Sequence, residues 1–93
     1  MPSPGPTVAN LVPVPSSASN VTLFPSAAEG NARVIWNDST ATLYVKFGAT
    51  ASTTSFTVKL APGAYYEFPQ PLYVGQVDGI WDSANGFARL TSW

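Results

Sequence analysis

Apolar and polar residues alternate along two stretches in the middle of the chain, residues 40–47 and residues 55–60. The apolar positions of the two stretches are Ala41, Leu43, Val45, Phe47, Phe56, Val58 and Leu60. A period of two is typical of β-strands that bury one face. We therefore predict that these stretches form the two central strands of a sheet.

Further extended runs flank this pair, and turn-forming residues separate them. Residues 33–36 run into residues 37–39, Asn-Asp-Ser, whose side chains favour a tight turn and predict a hairpin into the following strand. Residues 83–86 predict a second hairpin turn before the last run, 87–91. No segment shows a helical period. The chain is expected to be all-β, a small antiparallel sandwich or barrel of about six or seven short strands.

The alternation also predicts which residues fill the core and which lie at exposed or tight positions. The predicted core is Leu43, Val45, Phe47, Phe56, Val58, Leu60, Ile80 and Leu90, with Trp36 or Ile35 added according to the register. The small, uncharged residues 48–54 are expected to form an exposed loop tip. Gly75 and Gly79 indicate bulges or close approaches of two segments.

Residues 1–19 differ from the rest of the chain because prolines recur among small residues. Proline at this density excludes a helix, disfavours a central strand and favours extended backbone. We predict an extended N-terminal arm at residues 1–19, followed by a β-domain at residues 20–93. The apolar residues of the arm, expected to bind a partner, are Val8, Leu11, Val12 and Val14. The alternative is a disordered tail.

Charged residues make up 10% of the 93 residues, four basic against five acidic. This is well below the ~25% of typical domains, and it offers no basic surface for nucleic acid or for an anionic membrane. The chain has neither a leader pattern nor an apolar run near the ~20 residues of a membrane span. We therefore expect a soluble protein, made in a cytoplasm, that binds neither nucleic acid nor a membrane.

The inventory of chemically active groups is small. Cysteine and histidine are absent, which excludes disulfides, the usual zinc sites and histidine acid/base catalysis. Asp78 and Asp82 are candidates for paired carboxylates, but the simpler interpretation makes Asp82 a turn cap and Asp78 a solvated strand residue. A calcium site built from these two and Asp38 lacks the usual loop pattern. The sequence predicts no enzyme, no bound metal and no cofactor.

Aromatic residues make up 13% of the chain. Some of them pack in the core, and the others are free to stack on sugars or bases or to form a protein interface. The candidates for exposed interface aromatics are Tyr44, Tyr65, Tyr66, Tyr73 and Trp93. Stacking on nucleic-acid bases fits less well than a protein interface, because no basic groove accompanies these residues.

Three segments together resemble a small domain of virion proteins of tailed bacteriophages. They are WNDSTATLYVKFG at 36–48, FTVKLAPGAYYE at 56–67 and GIWDSANG at 79–86. The resemblance extends over about residues 21–91, so that the arm and Trp93 lie outside it. It implies a largely β, non-catalytic protein associated with phage heads, head fibres or tails.

The resemblance and the composition together lead to an expected function. The chain is expected to be a capsid decoration, or cement, protein that binds the outer surface of a phage head as a homotrimer and stabilises it. Its partner would be the major capsid protein, contacted by the arm through side chains or by strand addition at a sheet edge. The alternative is a head-fibre or tail component that binds carbohydrate or a cell surface through its tyrosines and residues 48–55.

Overall fold

The computed structural model describes residues 5–93, so residues 1–4 of the predicted arm lie outside the described part. Residues 5–93 form eight strands. These are β1 (Asn10–Pro15), β2 (Val21–Phe24), β3 (Arg33–Ser39), β4 (Leu43–Phe47), β5 (Val58–Leu60), β6 (Tyr65–Glu67), β7 (Val77–Trp81) and β8 (Gly86–Ser92). This part of the chain contains no helix that could cross a membrane.

The strands form two antiparallel sheets of four. Sheet I has the order β1-β8-β3-β6, and sheet II has the order β2-β7-β4-β5. The pairs nest along the chain, β1 with β8, β2 with β7, β3 with β6 and β4 with β5. This is the strand order of a jelly roll, a long hairpin rolled into two sheets. The predicted all-β antiparallel sandwich is confirmed, with eight strands instead of six or seven.

The core lies between the sheets and contains most of the predicted residues. Leu43, Val45, Leu60 and Leu90 are buried, and Phe47 and Val58 are half-buried against them. The prediction of Ile80 as a core residue is wrong, because it lies opposite Tyr44 on the outer face of sheet II, whereas its neighbour Trp81 faces the core. The open question of register is settled for β3, because Ile35 is fully buried and Trp36 is 46% exposed. Trp81 and Val77 of β7 complete the centre of the core.

The prediction of Phe56 as a core residue is wrong. Its side chain is 41% exposed and packs edge-on against Tyr44, with ring centroids 5.2 Å apart. The strand β5 begins only at Val58, so the two-residue period does not extend back to Phe56. β5 also lies at the edge of sheet II, and the central strands of the two sheets are β8, β3, β7 and β4.

Neither predicted hairpin forms. β3 and β4 lie in different sheets, and so do β7 and β8, so each short connection crosses the sandwich instead of joining paired neighbours. Asn37 belongs to β3 and is fully buried. Its Nδ2 donates to Ala41 O and Leu60 O, and its Oδ1 accepts from the indole Nε1 of Trp81. The side chain of Asn37, in sheet I, therefore hydrogen-bonds both to the connection between β3 and β4 and to two strands of sheet II.

The prediction of Asp78 as a solvated residue is also wrong. It is 1% exposed, and its carboxylate accepts hydrogen bonds from Asn20 Nδ2 at 3.0 Å and Gln76 Nε2 at 2.8 Å. Asn20 Oδ1 in turn accepts from the backbone N–H of Ala51, which is buried. The predicted loop tip, residues 48–54, therefore lies partly against sheet II, although Thr53 is exposed.

Gly79 is a position of close approach, one of the two alternatives that the sequence left open. A Cβ at this position would lie 2.7 Å from Leu23 Cδ1 and 3.2 Å from Leu43 Cδ1. The missing side chain is what allows these leucines to fill the space above β7.

Candidate interaction surfaces on sheet I

Four large apolar side chains on the outer face of sheet I are exposed: Leu11, Trp36, Tyr65 and Phe87. Side chains alternate between the faces of a strand, and the register aligns the outward-facing ones in rows across the sheet. The rows are Leu11, Thr91, Val34 and Glu67; Pro13, Arg89, Trp36 and Tyr65; and Pro15, Phe87 and Asp38. Two surfaces on or beside this face stand out, one at β1 and one at β3 and β6.

The first surface, which we call the β1 margin, consists of Val8, Leu11, Val12 and Pro13. Val8, Leu11 and Val12 are 76%, 73% and 50% exposed. Beside them runs a shallow groove of about 130 Å³, lined by Leu11, Val12, Pro13, Arg89, Leu90 and Thr91. The fourth predicted arm residue, Val14, is half-buried against the core. Three aliphatic side chains in and just before the edge strand β1 are thus exposed, with Leu11 and Val12 on opposite faces of the strand.

Residues 10–15 of the predicted arm form an edge strand of the domain itself, and proline occupies alternate positions in it. In an antiparallel strand the N–H and C=O of one residue point to the same side. Because Pro13 and Pro15 have no N–H, the groups that pair with β8 come from Asn10, Val12 and Val14. The free edge of β1 therefore offers a single N–H, that of Leu11.

The second surface, which we call the aromatic platform, consists of Trp36, Tyr65, Asp38, Glu67 and Arg89. Trp36 and Tyr65 are cross-strand partners, 46% and 61% exposed. Indole Nε1 of Trp36 donates to Gly63 O at 3.3 Å, which fixes the orientation of the ring. Arg89 of β8 is the cross-strand partner of Trp36, and its Nε donates to Asp38 Oδ2 at 3.0 Å.

The other predicted interface aromatics lie apart from this platform. Tyr66 and Tyr73 are half-buried against the core, and Tyr73 Oη donates to Gln76 O. Tyr44 is half-buried on the outer face of sheet II, where burial and the neighbouring Asp82 carboxylate raise the pKa of its hydroxyl. Trp93 is 39% exposed beyond the end of β8.

Trp36 and Phe87 are surface residues that the sequence did not predict. Phe87 is 38% exposed, and the Arg89 guanidinium carbon lies 4.8 Å from its ring centre. The signal for Trp36 was present in the alternation. Once Ile35 faces the core, the next residue must face outward. The register that decides between them depends on pairing with β6 and β8, which are distant in sequence.

The acidic groups do not converge. Asp78 is buried beneath its two amide donors, whereas Asp82 is exposed just after the end of β7. Within residues 5–93, no three side chains of the metal-binding types lie together. The two aspartates once considered as a carboxylate pair therefore occupy different environments.

The fold and its surfaces define a class, a small jelly-roll sandwich with exposed apolar surface on one sheet. Comparison of the chain with protein-family models, with curated proteins and with solved structures found no match.

Proposed function

We propose that the chain is a structural protein of a tailed-phage particle, a capsid decoration protein without enzymatic activity. The observation that carries the proposal is the β1 margin, because several exposed aliphatic side chains in and just before one edge strand are typical of a protein interface. The resemblance to phage virion proteins supports the proposal. The jelly roll also occurs in viral capsid domains, which is support by analogy of fold.

In this proposal the β1 margin packs on the major capsid protein at the outer surface of the head. The contact is made by side chains and not by strand addition, because the free edge of β1 presents only the N–H of Leu11. The task is mechanical, to tie neighbouring shell subunits together, and it requires no cofactor. We further propose a homotrimer, which would hold three margins against the shell at once.

Co-sedimentation with empty capsids of the phage that encodes the chain tests the attachment. The triple variant Val8→Ser, Leu11→Ser and Val12→Ser should lose at least about tenfold in affinity, because it removes the apolar side chains while leaving the β1 backbone intact. Trp93→Ser is the matched control, an exposed apolar residue outside the margin, and it should bind as the unmodified chain does. Equal binding by the triple variant and the control would refute attachment through the β1 margin.

Light scattering tests the oligomeric state independently. The proposal predicts three times the 9.8 kDa mass of one chain. A mass of one or two chains would contradict the trimer, but it would not affect the proposal that the β1 margin is the attachment surface.

A further inference from the structure

The aromatic platform lies on the same sheet as the β1 margin but on different strands. Trp36 and Tyr65 belong to β3 and β6, separated from β1 by β8. Neighbouring strands are about 4.8 Å apart, so that β1 and β3 are separated by roughly 10 Å. A partner packed edge-on at β1 therefore leaves Trp36 and Tyr65 open to a second ligand, whereas Arg89 of the platform also lines the groove beside the β1 margin.

The rings of Trp36 and Tyr65 are partly exposed to solvent. Within residues 5–93, neither Trp36 nor Tyr65 stacks on another aromatic side chain, in contrast to Phe47, whose ring stacks on both Phe68 and Tyr73. A flat ligand that covers these rings would remove apolar surface from water, which favours binding. Bases and the apolar faces of sugar rings are the common flat ligands.

The polar groups around the rings select between these ligands. Two carboxylates, Asp38 and Glu67, flank the rings with one cation, Arg89, so that the platform carries one net negative charge. Phosphate groups would be repelled from it, which argues against nucleic acid. The observed pair uses only Arg89 Nε and Asp38 Oδ2, so the Arg89 Nη groups and Asp38 Oδ1 still have hydrogen-bonding capacity.

A purely apolar protein surface would desolvate these three charged groups without satisfying them, at a cost in binding free energy. Sugar hydroxyls both donate and accept, and they satisfy the carboxylates and the guanidinium while the ring covers an aromatic face. We propose that the aromatic platform binds a neutral, hydroxyl-rich oligosaccharide, with pyranose rings stacked on Trp36 and Tyr65.

Titration with maltohexaose, cellohexaose and chitohexaose tests the platform, followed by tryptophan fluorescence and by saturation-transfer NMR of the sugar protons. At least one of the three should bind the unmodified chain at concentrations up to about 10 mM, which covers affinities in the millimolar range. Trp36→Ala and Tyr65→Ala should each weaken that binding at least about tenfold. Trp36→Phe, which keeps a ring, should retain part of the affinity.

Trp93→Ala is the matched control for truncation of an exposed aromatic residue, and it should leave sugar binding unchanged. Circular dichroism and thermal melting of each variant separate a lost contact from a lost fold. Binding of none of the three oligosaccharides would overturn the proposal, and so would equal losses in the Trp36 and Trp93 variants. Because capsid attachment is measured through the β1 margin, failure of this proposal is distinguishable from failure of the proposed function.

Discussion

Arg33 is a buried cation whose partners are all backbone or aromatic. It is 5% exposed, and its two Nη atoms donate to the carbonyl oxygens of Tyr73, Gly75, Pro25 and Val74 at 2.8–3.2 Å. The guanidinium carbon lies 4.9 Å from the centre of the Phe24 ring, and burial lowers the pKa of the side chain. One residue at the start of β3 therefore joins the loop after β2 to the loop before β7.

Replacing Arg33 by lysine should lower the free energy of unfolding by about 2–4 kcal/mol, because an ammonium cannot reach four carbonyls in the plane of a guanidinium and charge-assisted bonds are lost. Urea unfolding followed by tryptophan fluorescence measures the change. Arg89→Lys is the matched control, since the Arg89 side chain is 48% exposed in its ion pair, and it should change stability by less than about 1 kcal/mol. Equal effects of the two substitutions would show that the buried clamp is not needed.

Polar residues such as Arg33, Asn37 and Asp78 mark the limit of what the sequence predicts at this scale. An arginine or aspartate in a strand is exposed by default. Its burial here depends on loops that fold over it, such as the one that brings Asn20 onto Asp78. Partners separated by 40 to 58 residues leave no local signal in the sequence.

Edge strands expose unpaired backbone groups that can pair with another chain. With six residues, β1 is the longer of the two edge strands of sheet I, since β6 has three. Its prolines at alternate positions remove the N–H groups from the free side. The backbone N–H and C=O groups of Val12 and Val14 point toward β8, whereas the backbone positions of Leu11, Pro13 and Pro15 point toward the free side. The proline-rich composition that suggested an arm is therefore compatible with an edge strand of this kind.

The double substitution Pro13→Val and Pro15→Val should restore two N–H groups to the free edge and promote pairing of β1 with the β1 of another molecule. Light scattering over a range of concentrations should show larger, concentration-dependent species than the unmodified chain forms. Pro6→Val is the matched control, because Pro6 precedes the strand. If the double variant and the control scatter alike, the prolines do not protect the edge.

At the scale of elements, the two-residue period correctly located the central strand β4, but of the second predicted strand only Val58–Leu60 forms β5, at an edge of sheet II. It did not reveal how the strands connect. Residues 37–39 and 83–86 have the composition of hairpin turns, but the chain crosses between the sheets at both places. A turn residue permits a change of direction and does not specify which sheet receives the next strand.

The whole molecule is closed by its two most distant strands. β1 pairs with β8 along all six of its residues, from Asn10 opposite Ser92 to Pro15 opposite Phe87. Ser16 continues the contact, since its N–H donates to Gly86 O. Removing the first strand would leave the ladder of β8 unpaired on that side, although the sequence suggested a separable arm.

Deleting residues 1–15 should therefore destabilise the sandwich as well as remove the β1 margin. We expect a loss of about 2–3 kcal/mol, which for a chain of this size lowers the melting temperature by about 10–20 °C. Thermal melting by circular dichroism measures it. Deletion of residues 1–7 is the control, because it stops short of β1, and it should melt as the unmodified chain does. Equal melting temperatures for the two deletions would show that β1 contributes nothing to stability.

The pairing of Asn10 with Ser92 also determines how the molecule responds to force. Because β1 and β8 are antiparallel, the first residue of β1 and the last residue of β8 lie next to each other at the same end of the sheet. A force that pulls residues 10 and 92 apart would act perpendicular to the strands, so that the hydrogen-bonded pairs of β1 and β8 would break one after another. A pull along β1 against the far end of β8 would instead load the whole ladder in shear, where all its hydrogen bonds resist together.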